Sequence, residues 1–129
     1  PLRLFVSSSL RPFVASSLRL SVSPLPTFLL ILRPTRLEML THGPTDAERQ
    51  AIAAHVAYLT TLHARHALTL AGRTSNNDER TLGIVIFHAA DDAAARALVA
   101  ADPCVARGVM TAEMLPFRVA IPGDPAASG

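Results

Sequence analysis

From Thr27 onward the chain alternates short apolar runs with longer stretches of mixed polarity, and each pattern predicts one element. "TFLLILR" (Thr27–Arg33) is an apolar run between Pro26 and Pro34. Its length and flanking prolines favour a buried strand over a helix. "PTRLEMLTHGP" reads as a loop. Thr45 is then followed three residues later by Glu48. That is the capping-box spacing, in which each side chain satisfies a free backbone N–H at the helix start. Asp46 and Glu48 also suit the positive end of the helix dipole. The helix is expected from Asp46 to about His66, with Ile52, Val56, Leu59 and His63 as one apolar stripe. His55 and Leu62 stand at the edge of that stripe.

"ALTLAG" (Ala67–Gly72) reads as a strand and "RTSNNDERT" as an exposed polar loop. "LGIVIFH" (Leu82–His88) is the strongest strand pattern in the chain, β-branched and aromatic. "AADDAAARALVAA" predicts a second helix with Asp91 and Asp92 near its start. It ends at Asp102, because a residue before proline avoids the helical region. After a loop through Gly108, "LPFRVAI" (Leu115–Ile121) is the last expected strand, with Pro116 marking its first residue or an edge. The order is β-α-β-β-α-β, the split βαβ arrangement of ferredoxin-like α+β folds. Four strands would form an antiparallel sheet with both helices on one face. The other face keeps alternate apolar residues and needs a cover, for which a second copy of the chain is the expected partner.

The first 26 residues follow a different pattern. Three octapeptides, "LRLFVSSS", "LRPFVASS" and "LRLSVSPL", repeat from Leu2, Leu10 and Leu18. Their apolar residues neither hold a helical period nor run to the roughly 20 needed to span a bilayer. Three readings compete: a translated or disordered extension, an Arg- and Ser-rich targeting segment, and an added edge strand or arm. The first is the expectation, which places one domain at residues 27–122 and a frayed tail at 123–129.

Charge sharpens this division. Residues 1–37 hold five arginines and no acid, whereas residues 38–129 hold seven arginines against ten acids, a net of −3. The folded part is therefore mildly acidic and carries no basic face for a phosphate backbone, so nucleic-acid binding is not expected. A single cysteine, Cys104, excludes an intrachain disulfide and fits a reducing, cytoplasmic compartment. No Cys-x-x-Cys, His-Glu-x-x-His, Gly-rich phosphate loop or dinucleotide fingerprint is written in the chain. Hence neither metal nor cofactor is expected, and no membrane partner.

The ordered set "HVAYLTTLHARHALTLAGR", "GIVIF", "AARALVAADPCVARGV" and "AEMLPFRVAI" resembles the YciI-like (YCII-related) family. The resemblance covers roughly residues 27–122. It implies a small ferredoxin-like dimer of the dimeric α/β barrel type, similar to folds that include muconolactone isomerases. It also implies a His–Asp active centre, and at least one relative that takes part in degrading chlorinated aromatics. Carried over, the histidine falls on His55 of "AAHVAYL" and the aspartate on Asp102 of "ADP". Where the family often has Gly-Pro after the second strand, this chain has Gly72-Arg73. Arg73 could then place a cation at the pocket mouth as a carboxylate anchor.

A carboxylate on one imidazole nitrogen fixes the tautomer and steadies the imidazolium, leaving the other nitrogen to move a proton near neutral pH. Such a pair suits proton abstraction next to a carbonyl, in isomerisation or in elimination of a leaving group. The plain alternative is a stripe-edge histidine with one hydrogen bond, and an aspartate that merely stops a helix. His63 reads as a core histidine, and a metal site from His63 and His66 would lack a third ligand. Tyr58 reads as surface or dimer contact, and Cys104 as a small apolar residue. The expected function is a small cofactor-independent isomerase or lyase acting on a small carbonyl or aromatic-derived metabolite. A non-catalytic small-molecule-binding or accessory dimer is the alternative, and a purely structural dimer the third possibility.

Overall fold

Phe28, Leu30 and Leu32 are buried and alternate with the less buried Leu29, Ile31 and Arg33, so β1 (Thr27–Pro34) is a strand with one covered face. The computed structural model describes residues 25–124, so most of the 1–26 extension and the end of the 123–129 tail lie outside the described residues. The other elements are α1 (Glu38–Thr41), α2 (Asp46–Ala64), β2 (Leu68–Arg73), β3 (Gly83–His88), α3 (Asp92–Ala100), α4 (Pro103–Ala106) and β4 (Met110–Phe117). The strands form one antiparallel sheet in the order β2-β3-β1-β4. This is the expected α+β ferredoxin-like arrangement, with two short helices added. The core lies between the sheet and α2–α3, where Val85, Phe87, Ala89 and Ala95 join the buried β1 residues. The rings of Phe28 and Phe87 pack with centroids 5.7 Å apart.

The capping box forms as its spacing demands: the Thr45 hydroxyl accepts from Glu48 N at 3.2 Å, and Glu48 Oε1 accepts from Thr45 N at 2.8 Å. Glu48 also takes a two-pronged pair of bonds from the Arg36 guanidinium, at 2.9 and 2.7 Å. Those bonds, with the Thr45 N–H, hold the Glu48 carboxyl down at about 2. A carboxyl lowered by folding stabilises above its ordinary range, and this tie is lost only as acid approaches that value. The same tie fastens α1, which the sequence pattern reads as loop, beside the start of α2. Buried Met39 anchors that extra turn.

The inward face of α2 is rotated by about one residue from the expected stripe. Ala51 and Leu62 are buried and His55 and Tyr58 half-buried, while Val56 is 56% exposed and His63 is exposed. Ala51 permits close approach, and the two polar residues find partners inside. Tyr58, expected at the surface, donates its hydroxyl to the Leu98 carbonyl at 2.7 Å. Burial first, and then the charge of Asp102, raise its phenol above the ordinary range.

The helix ends at Ala64 and not near His66, because the chain turns left-handed at His66, φ +60°. His66 N–H bonds to His63 O and Ala67 N–H to Leu62 O, at 3.0 and 2.9 Å. This is the paired pattern of a Schellman cap, which glycine favours. We expect His66→Gly to raise stability by about 0.5–1 kcal/mol, the relief of a Cβ in that conformation net of the added freedom of the unfolded chain. Urea unfolding checks it, and a loss of stability would contradict the cap.

Two further expectations are corrected. The second helix of the sequence pattern, α3, stops before Asp102 as expected, with Asp91 capping it by accepting from Ala94 N at 2.8 Å, but the loop expected after it opens with a further helix. The chain then bends, and Asp102 caps α4 by accepting from Cys104 N at 2.9 Å, with Pro103 at the first helical position. Asp-Pro therefore starts a helix as well as stopping one, since proline needs no donor there. The last strand is Met110–Phe117 and not Leu115–Ile121. It pairs with the whole of β1, from Thr27 opposite Phe117 to Pro34 opposite Met110. Being an edge, it tolerates Pro116. Ile121, beyond the strand, is 87% exposed.

Candidate active site

Rotation of α2 carries the His55 ring inward, and the bend between α3 and α4 turns the Asp102 side chain toward it. The two meet across 47 residues of sequence, with His55 Nδ1 2.9 Å from Asp102 Oδ1 and 2.8 Å from Oδ2. Their side chains are 12% and 2% exposed. An ionised carboxylate only accepts, so Nδ1 carries the proton and donates. The Cys104 backbone N–H adds a second donor to Oδ1, so the buried carboxylate is held from two sides. Nε2 is left with its lone pair. It has no hydrogen-bond partner among the described residues, and none of their buried side-chain nitrogens lacks one. Nε2 therefore reaches solvent through the cavity that His55 lines.

That cavity has a volume of about 480 Å³, within the usual range for small-molecule sites. The expected apolar stripe forms its helical wall through Ile52, Val56 and Leu59, and Leu59 also packs against the core. Leu32 and Val85 supply part of the sheet wall, and Arg73 stands at its exposed edge. Asp102 does not line this cavity; it lies behind His55. His55 on α2 and Arg73 at the end of β2 thus both line the opening, whereas Asp102, at the start of α4, does not. Asn77 and buried Thr81 also line it. The sequence pattern reads both within an exposed polar loop, where loop chemistry accounts for Asn77 as well as a pocket wall would, and nothing in the spacing marks Thr81 as buried.

Cys104 lies close behind the pair, with donor atoms of His55, Asp102 and Cys104 all within 4.8 Å of one another. The arrangement does not suit a zinc ion held by all three. Ligands about 2.0–2.3 Å from zinc stand further apart in a tetrahedron than the 2.8 Å of the direct His–Asp bond. Burial, with a smaller part from the Asp102 charge, pushes the thiol up to about 11. Roughly a hundredfold less thiolate than in a free cysteine is then present at neutral pH. In native protein we expect Cys104 to react with a disulfide reagent at least a hundredfold more slowly than after denaturation. Comparable rates would refute this burial. His63 and His66 are exposed, and neither takes part in a group of possible metal ligands among the described residues.

A single antiparallel sheet, helices on one face and a ligand-sized cavity backed by a buried His–carboxylate pair define a small α+β protein of ferredoxin-like fold. Within that class, the chain belongs to the YCII-related domain family, which matches residues 27–118. A solved structure of similar fold is the 5-chloro-2-hydroxyhydroquinone dehydrochlorinase TftG from Burkholderia phenoliruptrix AC1100, in complex with 2,5-dihydroxybenzoquinone. It is 22% identical, with a TM-score of 0.52, and the match covers 70% of this chain and 93% of that one. No curated protein sequence matches.

Proposed function

We propose that this protein is a cofactor-independent isomerase or lyase acting on a small carbonyl or aromatic-derived metabolite. His55 is its acid/base, Asp102 the residue that orients it, and Arg73 a carboxylate anchor. One observation carries this reading: both Asp102 oxygens hold Nδ1, while Nε2 opens onto an apolar cavity. In an elimination, Nε2 would take a proton from the carbon next to the carbonyl. The C–H electron pair would form the new double bond, and the leaving group would depart with its bonding pair. In an isomerisation the same imidazolium would return the proton to another carbon. The dehydrochlorinase name of TftG and its bound dihydroxybenzoquinone support this substrate class. A screen of chlorinated hydroquinones, hydroxyquinones and unsaturated lactones tests it: turnover by wild type that is equal in His55→Ala would sink the catalytic role. Saturable binding without turnover would favour the non-catalytic alternative.

The reading includes a single domain at 27–122, a cytoplasmic location supported by the lone buried thiol, and a homodimer. No helix among the described residues is long and apolar enough to cross a membrane. Dimerisation is supported by one rung across the open sheet face, where Leu70, Ile86, Leu29 and Leu115 stand side by side. Its outer members are 50% and 42% exposed. A contiguous apolar face of this kind is a common mark of a partner surface. We expect light scattering to show a dimer for the wild type and a monomer for Leu70→Glu/Leu115→Glu. A wild-type monomer would remove the homodimer from the proposal.

A further inference from the structure

Arg73 ends β2 and is exposed, yet its guanidinium is not left to sample solvent. Nε donates to Thr74 O at 2.8 Å, and one terminal nitrogen donates to Asn76 O at 3.0 Å and Asn77 Oδ1 at 2.6 Å. These acceptors are neutral, so they fix the group without cancelling its charge. The loop that supplies them is itself braced. The buried Thr81 hydroxyl donates to Asn76 O at 2.6 Å and accepts from Asp78 N at 3.0 Å. Thr74 and Leu82 close its base through backbone and hydroxyl bonds of 2.9 and 3.1 Å. The nearby carboxylate of Asp78 is occupied by the Arg80 N–H and the Asn76 amide and not by Arg73.

Among the described residues, no aspartate or glutamate lines the cavity, and Arg73 and His55 are the titratable groups that do. A ligand carrying one oxyanion would therefore meet one fixed cation, whereas a second negative charge would find no partner on the apolar walls. We propose that the loop from Thr74 to Thr81 is a preformed specificity element. In it, Asn77 positions the Arg73 guanidinium so that the cavity selects molecules with an apolar body and a single negative charge, a carboxylate in the simplest case. The inference rests on reading the cavity as a ligand site, but it does not depend on any reaction taking place there. Fixing the arginine beforehand lowers the entropy lost when an anion binds, and its second terminal nitrogen, which has no partner among the described residues, keeps its N–H groups to donate to that anion. Among the described residues, Asn77 is the one whose side chain holds the guanidinium, and so the one whose replacement should release it.

Calorimetric titration of the full chain with benzoate, neutral benzamide and doubly charged phthalate tests this. Benzoate is expected to bind about tenfold or more tighter than benzamide, the usual scale of a charge-assisted pair, and phthalate no tighter than benzoate. Arg73→Gln should bring benzoate down to the benzamide level. Asn77→Ala should weaken benzoate several-fold and leave benzamide unchanged, which a general loosening of the fold would not do. Asn77→Asp sets a carboxylate on the guanidinium and should remove the preference for benzoate altogether. The proposal is overturned if wild type binds benzoate and benzamide equally, if it binds neither, or if Asn77→Asp keeps the preference. A clear anion preference with no turnover of any substrate would remove the acid/base reading and leave this selectivity standing.

Discussion

Asp102→Asn lowers turnover by about 10²–10⁴-fold on whichever substrate the screen returns, the range that a positioned proton-transfer group contributes. The reason is the tautomer. Aspartate presents two acceptors to Nδ1, at 2.9 and 2.8 Å, so the ring must carry its proton there and Nε2 is free to accept one. An asparagine amide in the same place can donate instead. Nδ1 then accepts, the proton moves to Nε2, and the atom facing the cavity can no longer act as a base. His55→Gln removes the base outright and should fall as far. Substrate affinity should change little in Asp102→Asn, because Asp102 does not line the cavity. The loss belongs in kcat with KM nearly kept. Steady-state kinetics decide it: activity of Asp102→Asn within threefold of wild type would mean that the pair is structural.

How far the sequence could be read depends on which physical constraint acted on each stretch. β1 and β3 lie at the centre of the sheet, so burial on one face and half-burial on the other leave a nearly unbroken apolar run. No other element could use such a run. The capping box was legible because its chemistry is local: Thr45 and Glu48 satisfy each other whatever else the chain does. β4 is an edge, where register is set by β1 and not by its own composition. Its polar Thr111 and Glu113 hid it, while Val119 and Ile121 beyond it imitated a strand. The rotation of α2 was not legible either. Its most apolar stripe faces a cavity, and its true inward face includes a histidine and a tyrosine that only tertiary partners can satisfy. His66 at φ +60° gives no sign in composition, since glycine is the residue that would have marked that turn. The His55–Asp102 contact joins positions 47 residues apart. Spacing alone left it as one reading beside a helix stop, and the family resemblance singled it out.

The same aspartate separates stability from activity, because its two jobs fail differently. Asp102→Ala removes the partner of the His55 N–H and the cap of α4 together, and it opens a small void where the side chain is 2% exposed. The unpaired N–H, the lost cap and the void together cost about 3–5 kcal/mol. For a domain of this size that is a fall of roughly 12–40 °C in Tm. Asp102→Asn keeps the volume, keeps an oxygen for the Cys104 N–H, and gives the imidazole a donor once the tautomer has switched. Its expected cost is about 1 kcal/mol, the scale of one ordinary hydrogen bond. His55→Ala lies between them, since it leaves the carboxylate buried with the Cys104 N–H still in place but the access of water improved. The order in stability is therefore wild type, Asp102→Asn, His55→Ala and Asp102→Ala, whereas all three variants should be equally inactive. Thermal unfolding beside kinetics tests the separation. If the loss of activity across the series simply tracks the loss of Tm, the pair holds the fold together and has no chemical role of its own.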